Sequence, residues 1–249
     1  MNTAFYTGVS GMIAFQQQLD VTSHNIANSS TPGYKAGRSS FSDLMYTAMD
    51  VRTEGDKVTG HGVKNVSTDI VMQQSGLKFT GNALDFAIVG EGFFALQGAD
   101  GERKYTRNGA FTVSVEGKKG YLVSSTDGSY VLDNRGRRIE LETSGADGGS
   151  FSAEGLTEKL GVYNFPNPYG LDRANGSSFT ETEKSGRAKA VTNTKDNPSY
   201  DIKGSTLEFS AVNLGDEMIN VIQAQRAFQM NSKIVQTADQ IEEMINNLR

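Results

Sequence analysis

Apolar residues recur at helical spacing at both ends of this chain, and the middle follows a different rule. Near the N-terminus Phe5, Val9, Met12, Leu19 and Ile26 stand at alternating steps of four and three, with Gln16 and Ser23 filling the intervening positions. That is the heptad spacing of a helix with one stripe to bury against another helix. Thr3 is placed to cap it. Thr31-Pro32-Gly33-Tyr34 ends it, because the residue before a proline avoids the helical region and Pro-Gly favours a turn. Gly33, after the proline, sits where a type II turn requires a positive φ. Gly8 and Gly11 each weaken an isolated helix by about 1 kcal/mol relative to alanine. This helix therefore depends on neighbours, and its glycines leave room for one to approach closely.

Near the C-terminus Asn213 is a good N-cap, and Asp216 and Glu217 occupy the first turn, where the helix dipole favours anions. Leu214, Met218, Val221, Phe228 and Val235 form one stripe; Ala224, Ala227, Ile234, Ala238, Ile241, Ile245 and Leu248 form a second. Two stripes imply two partner surfaces, one of them the N-terminal helix and the other a neighbouring subunit. The alternative is a single broad face packed on its own domain. Helices are thus predicted over 3–28 and 213–248.

Between the helices the chain reads as short strands separated by turn signals such as Asp100-Gly101, Asp127-Gly128 and Asn134-Arg135-Gly136. Strands are predicted at 63–72, 84–89, 92–97, 104–107, 110–115, 121–124, 130–132, 138–142, 159–165, 186–191 and 203–208. The fold class is α+β, with terminal helices flanking a central, mainly antiparallel β domain. The expected organisation is a helical domain from 1–35 plus 212–249, an extended connecting segment at 36–72 and a β-rich domain at 73–211.

Composition narrows the possibilities mostly by exclusion. The net charge is −5 with no basic block, which argues against nucleic-acid binding. With no cysteine there are no disulfides, thiolate nucleophiles or cysteine-based zinc sites. No run of 18 apolar residues is present, so no membrane insertion is expected. The N-terminus lacks the basic and apolar regions of a cleaved signal peptide, so an exported chain would keep its N-terminus.

Candidate chemistry is sparse. Gly90-Glu91-Gly92-Phe93-Phe94-Ala95 fits the dinucleotide fingerprint in form, but Gly98 and Asp100-Gly101 leave no room for the helix that would hold a pyrophosphate. A turn between two strands is the better reading. His24 and His61 fall on different elements, Gly8-Val9-Ser10-Gly11 lies inside a helix, and no metal-ligand or calcium-loop spacing occurs. No catalytic residue, cofactor site or metal site is expected.

The segment Leu19 to Lys35, with Asn25-Ile26-Ala27-Asn28 before Thr31-Pro32-Gly33-Tyr34-Lys35, resembles the N-terminal signature of bacterial flagellar rod and hook proteins. Three further stretches resemble the same family in the same order. They are Gln74-Ser75-Gly76 with Leu84 to Phe94, then Tyr105 to Phe111, then Met218 to Phe228 with Asn231-Ser232-Lys233 and Thr237 to Gln240. Within the family the distal-rod type fits best and the proximal-rod type next; residues 140–210 match poorly.

The resemblance implies a non-enzymatic structural subunit whose paired helices form an inner coiled-coil layer of a hollow helical tube, with the β domain outside. It implies a homo-oligomer that transmits torque, contacts other rod and hook proteins, and leaves the cell through the flagellar type III export apparatus without a cleaved signal. The assembly residues it points to are Val9, Met12, Leu19, Ile26, Leu214, Val221, Phe228, Val235, Ile241 and Leu248. Asn25, Asn28, Thr31, Gly33 and Tyr34 would fix the exit from the first helix. The rival reading is a secreted β-domain enzyme or glycan-binding protein with helical arms.

Overall fold

Two long helices, α1 (Thr3–Ala27) and α3 (Leu214–Asn247), begin and end the chain. The computed structural model describes residues 3–48, 58–116, 119–141, 155–175, 177–191 and 200–248. The chain divides into two compact units. The first comprises Met1–Ala27, Gly37–Val71 and Val212–Arg249; the second comprises Asn28–Ala36 and Met72–Ala211.

In the first unit α1 and α3 pack along each other. The α3 N-terminus is capped as its sequence predicts: the Asn213 side chain accepts from Gly215 N, with Asp216 and Glu217 in the first turn. Among the described residues four strands join the helices: β1 (Gly37–Asp43), β2 (Tyr46–Ala48), β3 (Val58–Gly60) and β4 (Val63–Ile70). β1 pairs antiparallel with β4 from Gly37 opposite Ile70 to Asp43 opposite Val63, with a register shift between Ser40 and Phe41, and β2 pairs with β3. The sequence reading placed a strand at β4 and none at β1 to β3. β1 reads Gly-Arg-Ser-Ser-Phe-Ser-Asp, a polar run with a single large apolar residue. Its strand conformation is set by its partner, which period-two patterning cannot see.

The second unit is the β domain. It contains β5 (Leu77–Phe79), β6 (Phe86–Gly90), β7 (Phe93–Gln97), β8 (Arg103–Thr106), β9 (Phe111–Glu116), β10 (Lys119–Ser124), β11 (Tyr130–Val131) and β12 (Glu140–Leu141). After one turn of helix, α2 (Leu156–Lys159), come β13 (Val162–Asn164), β14 (Asp172–Arg173), β15 (Ser178–Thr180), β16 (Lys189–Ala190), β17 (Tyr200–Gly204) and β18 (Thr206–Glu208). Every pairing among the described residues is antiparallel. The main sheet runs β12-β10-β11-β7-β8-β15-β14, with β9 on β10 and with β13 on both β7 and β16. β17 pairs with β6, and β18 with β5. Gly90 to Gly92 link strands β6 and β7, as the turn reading of that glycine pair expected.

Phe86, Ile88, Phe94, Leu96, Phe111, Leu122, Val131, Ile139, Leu156, Leu160 and Val162 build one core. Each buried side chain of this size contributes about 1.5–3 kcal/mol. Phe94 meets Phe111 edge-on, with ring centres 5.3 Å apart. The short strands are individually marginal, and this shared core is what holds them in one domain.

Candidate assembly site

Two glycines of α1 face α3, Gly8 towards Val235 and Gly11 towards Asn231. Gly8, Gly11, Ala14, Thr22 and Asn25 are buried on α1, and Ala224 and Ala238 on α3. A methyl group at Gly8 would lie 2.8 Å from Val235 Cγ2, and one at Gly11 would lie 2.9 Å from Asn231 Oδ1. The glycines therefore set how closely the helices approach, at the expense of intrinsic helicity. On α3 the buried or half-buried positions Val221, Ala224, Phe228, Asn231, Val235 and Ala238 alternate at steps of three and four. This seam takes members from both predicted stripes. On α1 the large residues Val9, Met12, Leu19 and Ile26 are half-buried, beside the small-residue row.

A second set of α3 residues is left uncovered. Ile219, Ile222, Met230, Ile234, Ile241, Met244, Ile245 and Leu248 are all exposed, as is Leu214. Ile219, Ile222, Arg226, Met230 and Ile234 follow one another at helical steps of three or four, on the side of α3 away from the seam. Of the sequence-predicted assembly residues, Val221, Phe228 and Val235 fall in the seam, and Leu214, Ile241 and Leu248 are exposed.

The residues after α1 fall into two groups. Asn25 stays with the helices: its side-chain amide donates to Gly37 O at 2.8 Å and to Glu217 Oε1 at 2.9 Å, and its oxygen accepts from Gly37 N at 2.8 Å. It thereby pairs with the start of β1 as a neighbouring strand would. Asn28, Thr31, Gly33 and Tyr34 belong to the β unit. Thr31 N donates to Asn28 O, and Tyr34 N donates to Thr31 O, closing a turn with Pro32 and Gly33 at its centre. Gly33 has φ +66°, and a Cβ there would lie 2.5 Å from backbone atoms of both Arg107 and Asn108. Only glycine suits both the dihedral and the space.

The next residue but one, Lys35, enters a buried ionic cluster. Glu208 Oε1 accepts from Lys35 Nζ at 2.7 Å and from Ser75 N at 3.0 Å, while Glu208 Oε2 accepts from Arg107 Nη1 at 3.4 Å. Lys35 also donates to Gln73 O, and Arg107 to Gly90 O at 2.7 Å. Burial pulls the Lys35 ammonium and the Arg107 guanidinium below their ordinary pKa, and the Glu208 carboxylate opposes the shift in both. Removing such charges from water costs several kcal/mol per ion, so the cluster holds only because most of its polar atoms are bonded. Lys35 and Arg107 lie in stretches that carried the family resemblance. Glu208 was not foreseen; its trace in the sequence is a carboxylate alternating with Thr206 on the inward face of a strand.

In the second unit, a cleft of about 620 Å³ is lined by Asp133, Arg135, Arg137, Arg138, Glu140 and Glu158 among others. Two of its acids are engaged: Asp133 takes bonds from the backbone and guanidinium of Arg137, and Glu140 pairs with Lys119 at 3.0 Å. Among the described residues no group of three or more His, Cys, Asp or Glu could hold a metal, and no helix is long and apolar enough to cross a membrane.

Comparison with known proteins gives a consistent result along the chain. The family model "Flagella basal body rod protein" matches residues 5–35, "Flagellar hook protein FlgE/F/G D1 domain" matches 87–156, and "Flagellar basal body rod FlgEFG protein C-terminal" matches 203–248. The chain is 35% identical over 268 aligned residues to the flagellar basal-body rod protein FlgG of Bacillus subtilis, covering 100% of both chains. It is 33% identical to FlgG of Agrobacterium fabrum, covering 98% of both. It is 31% identical to the basal-body rod protein FlgF of Mesorhizobium japonicum, covering 100% of this chain and 98% of that one.

Proposed function

This chain belongs to the flagellar basal-body rod protein family, of the FlgG type, and from that premise we propose how it assembles. It is a structural subunit of the basal-body rod and not an enzyme; the rival reading as a secreted enzyme or glycan binder finds no support. Copies of the chain associate in a helical tube. α1 and α3 form a coiled-coil inner layer, and the β domain forms the outer one. The tube transmits torque, passes other flagellar proteins through its bore and contacts further rod and hook proteins at its ends. The subunit reaches its extracytoplasmic position through the flagellar type III export apparatus.

The observation that carries this reading is the uncovered apolar row on α3. A helix with one seam filled and another row of isoleucines and methionines exposed has a surface suited to further copies. Heterologous contacts that do not close give a filament rather than a ring. The experiment is to delete the gene, restore it with a labelled copy and image isolated basal bodies. Label along the rod and recovery of hooks are expected. Complete hooks and normal swimming without the gene would refute the reading.

A further inference from the structure

The chain passes between the two units four times, after Ala27, Ala36, Val71 and Ala211. On the β-unit side these crossings involve three segments: Asn28–Ala36, the stretch that starts at Met72 and the stretch that ends at Ala211. All three meet at one buried carboxylate. Glu208, in the third segment, accepts through Oε1 from Lys35 Nζ of the first at 2.7 Å and from Ser75 N of the second at 3.0 Å. Lys35 Nζ also joins the second segment directly, donating to Gln73 O at 2.7 Å. Main chain adds to these ties: Gly33 N donates to Glu208 O, Ala211 N to Tyr34 O and Phe209 N to Gly76 O. The node is fastened in turn to the core strand β6. Arg107 donates to Glu208 Oε2 and, at 2.7 Å, to Gly90 O. The Gln74 side chain donates to Ile88 O and accepts from Gly90 N, both at 3.1 Å.

Resting on the rod reading, we infer that this node is the joint through which load borne by the helices enters the β core. Segments that cross separately would take strain one after another, and each could peel from the β unit by itself. Tied to one carboxylate, and through Arg107 and Gln74 to β6, they share it. Stability alone does not account for the chemistry. Desolvation offsets most of the attraction within a buried ionic group, and well-packed apolar side chains of similar volume stabilise a domain as well or better. Apolar side chains would, however, leave Ser75 N and Gln73 O without these partners and loosen the second segment from the other two. The charges serve the tie between segments more than the packing of the domain.

The test separates tie from stability. The full chain carries Lys35→Met, Arg107→Met and Glu208→Leu together, which removes every charge of the node at once; Lys35→Met alone cuts one tie and leaves Ser75 N and Arg107 on the carboxylate. For the purified triple variant the urea midpoint should match the parent's, while the Ser75 amide exchanges about tenfold faster, as the loss of one hydrogen bond predicts. In the deletion strain the triple variant should build hooks but rotate tethered cells, a high-load condition, several-fold more slowly than the parent, with Lys35→Met in between. Parental rotation by the triple variant would overturn the joint. So would a fall in urea midpoint that tracks the loss of rotation in both variants, since the cluster would then be ordinary core. Absence of hooks from a folded triple variant would make the cluster an assembly contact and would overturn it too. In each of these cases the rod reading stands as long as the deletion strain lacks hooks; if that strain builds them, the rod reading itself fails.

Discussion

Lys35 and Glu208 meet at 2.7 Å with side-chain exposures of 2% and 0%, although 173 positions separate them in sequence. The contact ties the segment that follows α1 to the last strand before α3, within the β unit. Glu208 O also accepts from Gly33 N, and Tyr34 O accepts from Ala211 N, so the two segments are joined by main chain as well.

Glu208→Ala should therefore be among the most damaging single changes in the β unit. It leaves two buried cations without their shared carboxylate, a loss of about 3–5 kcal/mol. Adding Lys35→Met should recover part of it, because one of the stranded charges is then gone. Urea unfolding of the purified chain measures both, and additive losses would show that the two residues are not coupled.

Gly33→Val combines a strained dihedral, about 1–3 kcal/mol, with a clash against the Arg107–Asn108 backbone. Even Gly33→Ala places its methyl in that clash, so both variants should destabilise the β unit. On the proposed export route, secretion should persist while hooks fail. Equal stability of Gly33→Ala and the parent would remove the steric argument.

Gly8→Leu separates local from tertiary preference. In an isolated peptide of residues 3–27 it should raise helicity, by up to about 1 kcal/mol at that position. In the intact chain it should weaken the α1–α3 seam, since Val235 Cγ2 stands in the way. Circular dichroism of the peptide and hydrogen exchange of the full chain should move in opposite directions.

Phe228→Asp puts an unpaired carboxylate into the half-buried seam, at a cost of several kcal/mol. No rod completion and no motility are expected, with β-domain signals unchanged in NMR spectra. Normal swimming of a strain carrying only this variant would exclude Phe228 from any essential contact.

Tyr105 provides a pH test. Burial, aided by its hydrogen bond to the Glu181 carboxylate, raises its pKa above the ordinary 10.0. The folded state holds this proton more tightly than the unfolded state. The resulting stability is full below pH 10.0 and is lost as the pH rises through the elevated folded value. Tyr105→Phe should flatten this part of the alkaline stability curve, as followed by urea midpoints from neutral to alkaline pH.

The two long helices and the antiparallel middle could be read from spacing alone, because amphipathic period is a local property of the chain. The exposed row of α3 could not: Ile234 stood in a predicted stripe, but Ile219, Ile222, Arg226 and Met230 stood in neither. The cap at Asn213 and the turn at Gly33 were equally legible, each depending on a few adjacent residues. The seam was not. Spacing pointed to Val9, Met12, Leu19 and Ile26 on α1, which are half-buried; the fully buried positions beside them are Gly8, Gly11, Ala14, Thr22 and Asn25. Hydrophobic periodicity weights bulk, but a close helix–helix approach is decided by where bulk is missing.

What the sequence determined, then, is everything set by short-range stereochemistry and period: which segments are helical, where they start and stop, and that α3 has more apolar surface than one partner can cover. Only the tertiary structure decided which residues far apart in sequence meet. It gave Asn25 the backbone of Gly37 as a partner, made a strand of the polar run Gly37–Asp43 by pairing it with β4, and buried Glu208 between Lys35 and Arg107. Each depends on contacts distant in sequence, which carry no local periodicity and whose energy exists only once the chain has brought both partners out of water.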